Sequence, residues 1–145
     1  MKKVIFILFA LFLTTNSLAQ KKNQFDLLDD FIIAHNLGTE KAISDFIKKT
    51  YEPSLLKKID LKKHIAFYNH IIKEFGPLNN KIYEIVEVKP NKLIVNLIKK
   101  EESIKNKSID PTEILMVEID TDKNRPKYLS RGLGLGALAC SIRKE

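Results

Sequence analysis

Hydrophobic residues in the first half of the chain recur at intervals of three and four, which is the spacing of one face of an α-helix. The first stripe predicts a helix from Gln24 to His35, ended by the segment Asn36-Leu37-Gly38. Thr39 is suited to cap a second helix, with Glu40 in its first turn. The apolar stripe of this second helix consists of Ala42, Ile43, Phe46 and Ile47.

A third helix has the most regular apolar pattern in the chain. Asp60 can cap its start, and Gly76-Pro77 can end it. Phe67 and Ile71 widen the apolar stripe, so both are expected in the core. Ahead of this helix, Pro53 is expected to open one short turn. The stripe itself repeats at alternating intervals of four and three: Leu61, Ile65, Tyr68, Ile72 and Phe75.

The segment after these helices predicts a β-hairpin. Two runs rich in β-branched residues, Tyr83–Val88 and Leu93–Ile98, flank Pro90-Asn91. Pro90 has no N–H and a fixed φ, which suits a turn. Strict alternation would put Tyr83 and Ile85 on one face of the first run, and Ile82, Val86 and Val88 on the other. Both faces are therefore partly apolar, and one is expected to carry the helices while the other is partly covered or contributes to a cleft or a partner surface.

Two further strand-like runs follow a polar, lysine-rich loop, Ile114–Ile119 and Lys127–Leu135. Three helices followed by four strands, with no helix between the strands, indicate an antiparallel sheet. The predicted fold is therefore α+β, with N-terminal helices packed on a curved four-stranded antiparallel sheet.

The N-terminus has the layout of a secretory signal peptide. Lys2 and Lys3 precede an apolar run, Val4–Leu13, and Ser17-Leu18-Ala19 provides small residues at the cleavage site. The run is shorter than the roughly 20 residues that a membrane span needs. We expect cleavage after Ala19, a single domain over residues 20–145, and a secreted or periplasmic product that is not an integral membrane protein; an uncleaved anchor is the alternative.

Charge and cysteine content narrow the classes of partner. The formal net charge is +7, but the lysine clusters are scattered and lack interleaved aromatic residues, so we expect solvated faces and no nucleic-acid partner. Weak attraction to anionic envelope polymers or lipid headgroups stays open. Cys140 is the single cysteine, which excludes an intramolecular disulfide. It is interpreted as a small buried hydrophobic residue, with an intermolecular disulfide as the alternative.

The sequence contains no motif that marks a catalytic, cofactor-binding or metal-binding residue, and no cofactor is expected. His64 and His70 are six positions apart and point away from each other on a helix, so they cannot share a metal. Asp60 and His64 are four positions apart and could meet on one helix face. With Tyr68, they are tentative polar groups for a cleft between helices and sheet. A capping acid beside a surface histidine is the simpler interpretation of the pair.

Four segments of the sequence resemble a family of secreted bacterial domains: Phe31–Ile47, His64–Tyr68, Glu74–Leu78 and Pro126–Leu133. Related domains occur ahead of serine-hydrolase or tail-specific-peptidase domains in envelope proteins. The chain is also similar to the wider cystatin-like and nuclear-transport-factor-two-like group, in which helices pack on a curved antiparallel sheet. Such domains often have an acidic residue where this chain has Thr39. The resemblance carries over no catalytic residue, because the hydrolase chemistry would lie in a separate domain.

These observations predict an exported, non-catalytic module that binds an unknown protein or small-molecule ligand in the cell envelope. It could act as a homodimer, joined through the sheet face away from the helices. The alternative is a small SnoaL-like enzyme that uses the cleft between helices and sheet, with Asp60, His64 or Tyr68 as polar groups. Fold analogy alone does not supply an activity.

Overall fold

The computed structural model describes residues 24–100, 109–125 and 128–137 of the chain. The predicted signal peptide with its cleavage site after Ala19, and the interpretation of Cys140, lie outside these residues. The described helices are α1 (24–37), α2 (Glu40–Thr50), α3 (Pro53–Leu56) and α4 (Leu61–Phe75). The described strands are β1 (Glu84–Lys89), β2 (Lys92–Ile98), β3 (Ile114–Thr121) and β4 (Leu129–Ala137). None of the helices within these ranges is both long enough and apolar enough to span a membrane.

The described chain is an α+β fold, with its helices ahead of an antiparallel sheet, as predicted. Neighbouring strands pair in sequence order, β1-β2-β3-β4. In a sheet with this strand order, antiparallel strands that follow each other in the chain are also neighbours in the sheet, so hairpin-like links can join them. The β1-β2 hairpin turns at Pro90-Asn91, because Lys89 pairs with Lys92. The predicted hairpin with its turn at Pro90-Asn91 is therefore confirmed.

The helix ends follow local capping signals. The Thr39 hydroxyl accepts a hydrogen bond from the Ala42 amide at 3.2 Å. The Asp60 carboxylate accepts bonds from the first amides of α4, those of Lys62 and Lys63, at 3.0 and 3.2 Å. These bonds satisfy amides that have no partner within their helix. Both predicted N-caps are confirmed, and α4 begins and ends at the predicted residues. Helix α1 continues two residues past His35.

An aromatic cluster joins the three longer helices above the sheet. The rings of Phe31 from α1, Phe46 from α2 and Tyr68 from α4 lie 6.1–6.2 Å from one another. All three side chains are buried. Tilted and edge-on ring pairs of this kind stabilise the core beyond the effect of the apolar area that they bury. The cluster therefore fixes how the helices pack together.

One core prediction for α4 is wrong. Ile71 is 5 % exposed, as expected, but Phe67 is 44 % exposed. Its ring contacts that of Tyr68 edge-on at 5.9 Å from the outer side of the helix. The buried stripe of α4 is consequently narrower than its apolar pattern, because the sheet and the other helices contact only one side of it.

Helices cover one face of the sheet. Apolar residues on this core face of β2 and β3 are directly paired, and their side chains are fully buried. The opposite face is mixed: Ile98 is buried, whereas Lys92 forms an ion pair with Glu118 at 2.8 Å. The core-face pairs are Leu93 with Ile119, Val95 with Val117, and Leu97 with Leu115.

Strand β1 departs from the predicted alternation. Ile85 pairs with Val95 and Glu87 pairs with Ile94, so Val86 is an extra residue in a β-bulge. Directly paired residues share a face of the sheet, and the bulge therefore brings Ile85 and Val88 onto the same face. The expectation that these two residues lie on opposite faces is wrong.

Candidate functional site

Each of the tentative cleft residues has a structural contact. At the start of α4, the Oδ1 atom of Asp60 accepts both hydrogen bonds from the backbone amides of Lys62 and Lys63. His64 contacts the backbone oxygen of Asp60 through Nδ1 at 3.3 Å, and its ring lies edge-on to Tyr51 at 5.9 Å. Its ring therefore contacts the backbone of Asp60, and the simpler interpretation of a capping acid holds. Tyr68 is 1 % exposed and lies in the aromatic cluster.

A pair of buried phenols explains the position of Tyr68. The hydroxyl groups of Tyr51 and Tyr68 lie 2.9 Å apart in the core. Burial raises the pKa of Tyr51, although hydrogen bonds with Tyr68 and the Leu133 backbone oppose this effect. Burial, together with the neighbouring Tyr51, raises the pKa of Tyr68 well above its usual value. Both phenols therefore stay protonated and neutral, and they join α4 to the segment that follows α2.

Metal ligands do not cluster in the part of the chain that the structure describes. No group of three His, Cys, Asp or Glu side chains lies close enough there to hold an ion. Among these side chains, His35 is buried, and its Nε2 atom forms a hydrogen bond with the backbone oxygen of Gly76 at 2.7 Å. Its role is consequently structural.

The most distinctive surface of the described molecule is on strand β1. Tyr83 is 39 % exposed, Ile85 52 %, Val86 53 % and Val88 43 %. These four residues, which we call the β1 surface, lie within six consecutive positions, three on β1 and Tyr83 directly before it, whereas isolated exposed apolar residues are common on any protein. The β1 surface is thus a candidate contact site.

The packing of the helices leaves the β1 surface uncovered. The apolar core contains residues of β2, β3 and β4, but none of Glu84–Lys89 among the described residues. At the turn of the hairpin, the Gln24 side chain of α1 donates to the backbone oxygens of Lys89 and Pro90 at 3.3 Å. β1 is also one of the two outer strands of the described sheet, at the edge opposite β4. An outer strand has backbone N–H and C=O groups available to a further strand.

A second, smaller apolar patch lies on α1. Ile33 and Leu37 are 59 % and 63 % exposed and are one helical turn apart. A shallow groove runs along each side of them, and the groove toward α2 is crossed by an ion pair between Asp30 and Lys49 at 2.9 Å. This patch lacks the free backbone groups of an outer strand, so the β1 surface is the stronger candidate.

The sequence contained part of the signal for this site. The first predicted strand is apolar on both faces, which indicated a face that is partly covered or that contributes to a cleft or a partner surface. The sequence did not reveal the bulge at Val86, nor that β1 would be an outer strand of the described sheet, since both depend on pairing with distant residues. No family model matches the chain, and no curated protein or solved structure is significantly similar to it.

Proposed function

We propose that this protein is an exported, non-catalytic interaction module that binds a partner through its β1 surface. The observation that carries the proposal is the group of four exposed apolar residues on and directly before an outer strand, with exposed fractions of 39–53 %. An extended segment of a partner can add to such an edge, where backbone hydrogen bonds supply affinity and alternate side chains supply specificity. Helices on one face and an antiparallel sheet beneath them suit a cystatin-like arrangement, which we include in the proposal as an analogy.

The enzymatic alternative has less support. A small SnoaL-like enzyme would use Asp60, His64 or Tyr68 as polar groups that face a cavity, as catalytic groups do. Instead, the carboxylate of Asp60 caps α4 and the hydroxyl of Tyr68 is bonded to Tyr51. We therefore assign these groups to folding and assign contact with a partner to β1.

Site-specific photocrosslinking in the cell envelope tests the proposal. A photoreactive residue replaces Val86 on the β1 surface, and in a matched strain it replaces Lys58, which is exposed between α3 and α4. We expect a discrete crosslinked product from position 86 and none from position 58. Equal products from both positions, or none from position 86, would contradict binding through β1.

The same cells test export. The intact mass of the protein from the envelope fraction is expected to correspond to a chain that begins at Gln20. A full-length mass, or recovery in the cytoplasmic fraction alone, would contradict the exported location without bearing on the β1 contact.

A further inference from the structure

We infer that the partner which fits the β1 surface is a second copy of this chain, joined by antiparallel pairing of β1 with β1 about a two-fold axis. The two sheets would then become one continuous sheet. This inference rests on the proposed role of β1 in binding. It differs from a dimer through the sheet face away from the helices, because the contact is edge to edge.

The bulge in β1 makes such self-pairing geometrically consistent. In a two-fold antiparallel pair, directly opposed residues must lie on the same face of the joint sheet. Ile85 pairs with Val95 and Val88 pairs with Leu93, and both partners are on the core face. Ile85 and Val88 therefore share a face only because Val86 is the extra residue of the bulge. Ile85 of one copy can lie opposite Val88 of the other.

The charges of β1 match this register. When Ile85 faces Val88 of the second copy, Glu84 faces Lys89 of that copy, and the two-fold axis repeats both contacts. Glu84 and Lys89 pair with Asn96 and Lys92, which both lie on the face away from the helices. Opposite charges would thus meet on one face and apolar side chains on the other. Each type of cross-strand pair stabilises a sheet.

Other registers lose this match. Moving the second copy so that Glu84 faces Glu87 would bring like charges together, which is unfavourable. Moving it so that Glu84 faces Val88 would oppose residues from different faces of the sheet. Of these three registers, only the first places Ile85 opposite Val88 and Glu84 opposite Lys89; it brings Val86 and Glu87 opposite each other at the two-fold axis.

Glu84 is suitably placed for a second copy. Its side chain accepts a hydrogen bond from the Asn96 amide at 2.8 Å, and within the described residues no cation contacts it. Lys89 contacts Glu87 of its own strand, and its side chain is 65 % exposed. Lys89 can therefore contact the carboxylate of Glu84 in the other copy. The apolar pairs would extend the core face beyond Leu93 and Val95, which are already buried.

Charge reversal tests the register. Sedimentation analysis of the purified protein, over a concentration series to about 0.5 mM, gives the Kd of the dimer. In the dimer, Glu84→Lys places two lysines opposite each other at both symmetry-related contacts, and Lys89→Glu places two glutamates there. Each single variant is expected to raise the Kd of the dimer by about tenfold or more. The double variant recreates both ion pairs with their signs exchanged, and its Kd is expected within about threefold of the original. Lys58→Glu, which makes the same charge change away from β1, is expected to leave the Kd unchanged.

Two results would overturn the inference. A monomer throughout the concentration series would mean that the bulge and charges of β1 guard the edge against self-pairing, as they do on many outer strands. A dimer that neither single variant weakens, or that the double variant fails to restore, would use another surface or register. Neither result removes the proposed function, because crosslinking at position 86 to a different protein in the envelope would still support it.

Discussion

The Nε2 atom of His35 lies 2.7 Å from the backbone oxygen of Gly76, so a side chain of α1 is bonded to the residue that ends α4. A carbonyl oxygen can only accept, so Nε2 carries the proton in this contact. The Nδ1 atom is buried without a hydrogen-bond partner. The neutral imidazole is therefore the form that this site accommodates.

This contact predicts loss of stability in mild acid. Burial lowers the pKa of His35, and the bond to Gly76 only partly opposes this effect. In the unfolded chain the imidazole takes up a proton near its ordinary pKa of about 6.5, while the folded chain resists protonation until lower pH. The free energy of unfolding is expected to fall as pH drops below about 6.5. Urea denaturation across pH 7 to 5 measures this change.

Matched histidine variants separate this effect from other titrations. His35→Gln retains a donor for Gly76 but cannot titrate, so its free energy of unfolding is expected to vary less over the same pH range. His70→Gln alters an exposed side chain near Glu74 and is expected to keep the original pH dependence. An unchanged pH dependence in His35→Gln would contradict the role of His35.

Gly76 is predicted to be intolerant of any side chain. Its φ of 62° and ψ of −161° lie in a region that is almost restricted to glycine. A Cβ atom there would meet nothing within 4 Å, so backbone strain alone would be measured. Gly76→Ala is expected to destabilise the protein by about 1–3 kcal/mol. Gly136→Ala, which also meets no atom within 4 Å, is the control and is expected to cost much less.

Two neighbouring apolar residues of α4 are predicted to differ sharply. Ile71→Ala removes a buried side chain and is expected to cost about 2–5 kcal/mol in denaturant unfolding. Phe67→Ala removes a ring that is 44 % exposed and is expected to cost about 1 kcal/mol or less. Equal costs for both changes would show that Phe67 is packed more deeply than its exposure indicates.

The buried phenol pair is predicted to act as a stabilising unit. Tyr68→Phe keeps the ring but removes the hydroxyl bonded to Tyr51, at an expected cost of about 1–2 kcal/mol. A double-mutant cycle with Tyr51→Phe is expected to give a coupling of about 1 kcal/mol. Tyr83→Phe, at an exposed ring, is the control for removal of a hydroxyl. Additive effects of the two buried changes would contradict a direct bond.

Predictions from the sequence succeeded where the cause was local. Thr39 and Asp60 cap helices by contacting amides two or three residues ahead, so a short segment contains the whole interaction. They failed where two distant segments had to meet. Phe67 has the apolar character of a core residue, but its burial depends on which side of α4 meets the other elements.

The amino-acid pattern by itself determined the order of helices and strands, the bounds of α4 and the turn at Pro90, because capping, periodicity and proline geometry act within a few residues. Only the tertiary structure decided that β1 is an outer strand of the described sheet, that Val86 is an extra residue in it, and that its apolar side chains are exposed. Strand order, register and burial arise from contacts between residues far apart in the chain, and no local pattern contains both partners of such a contact.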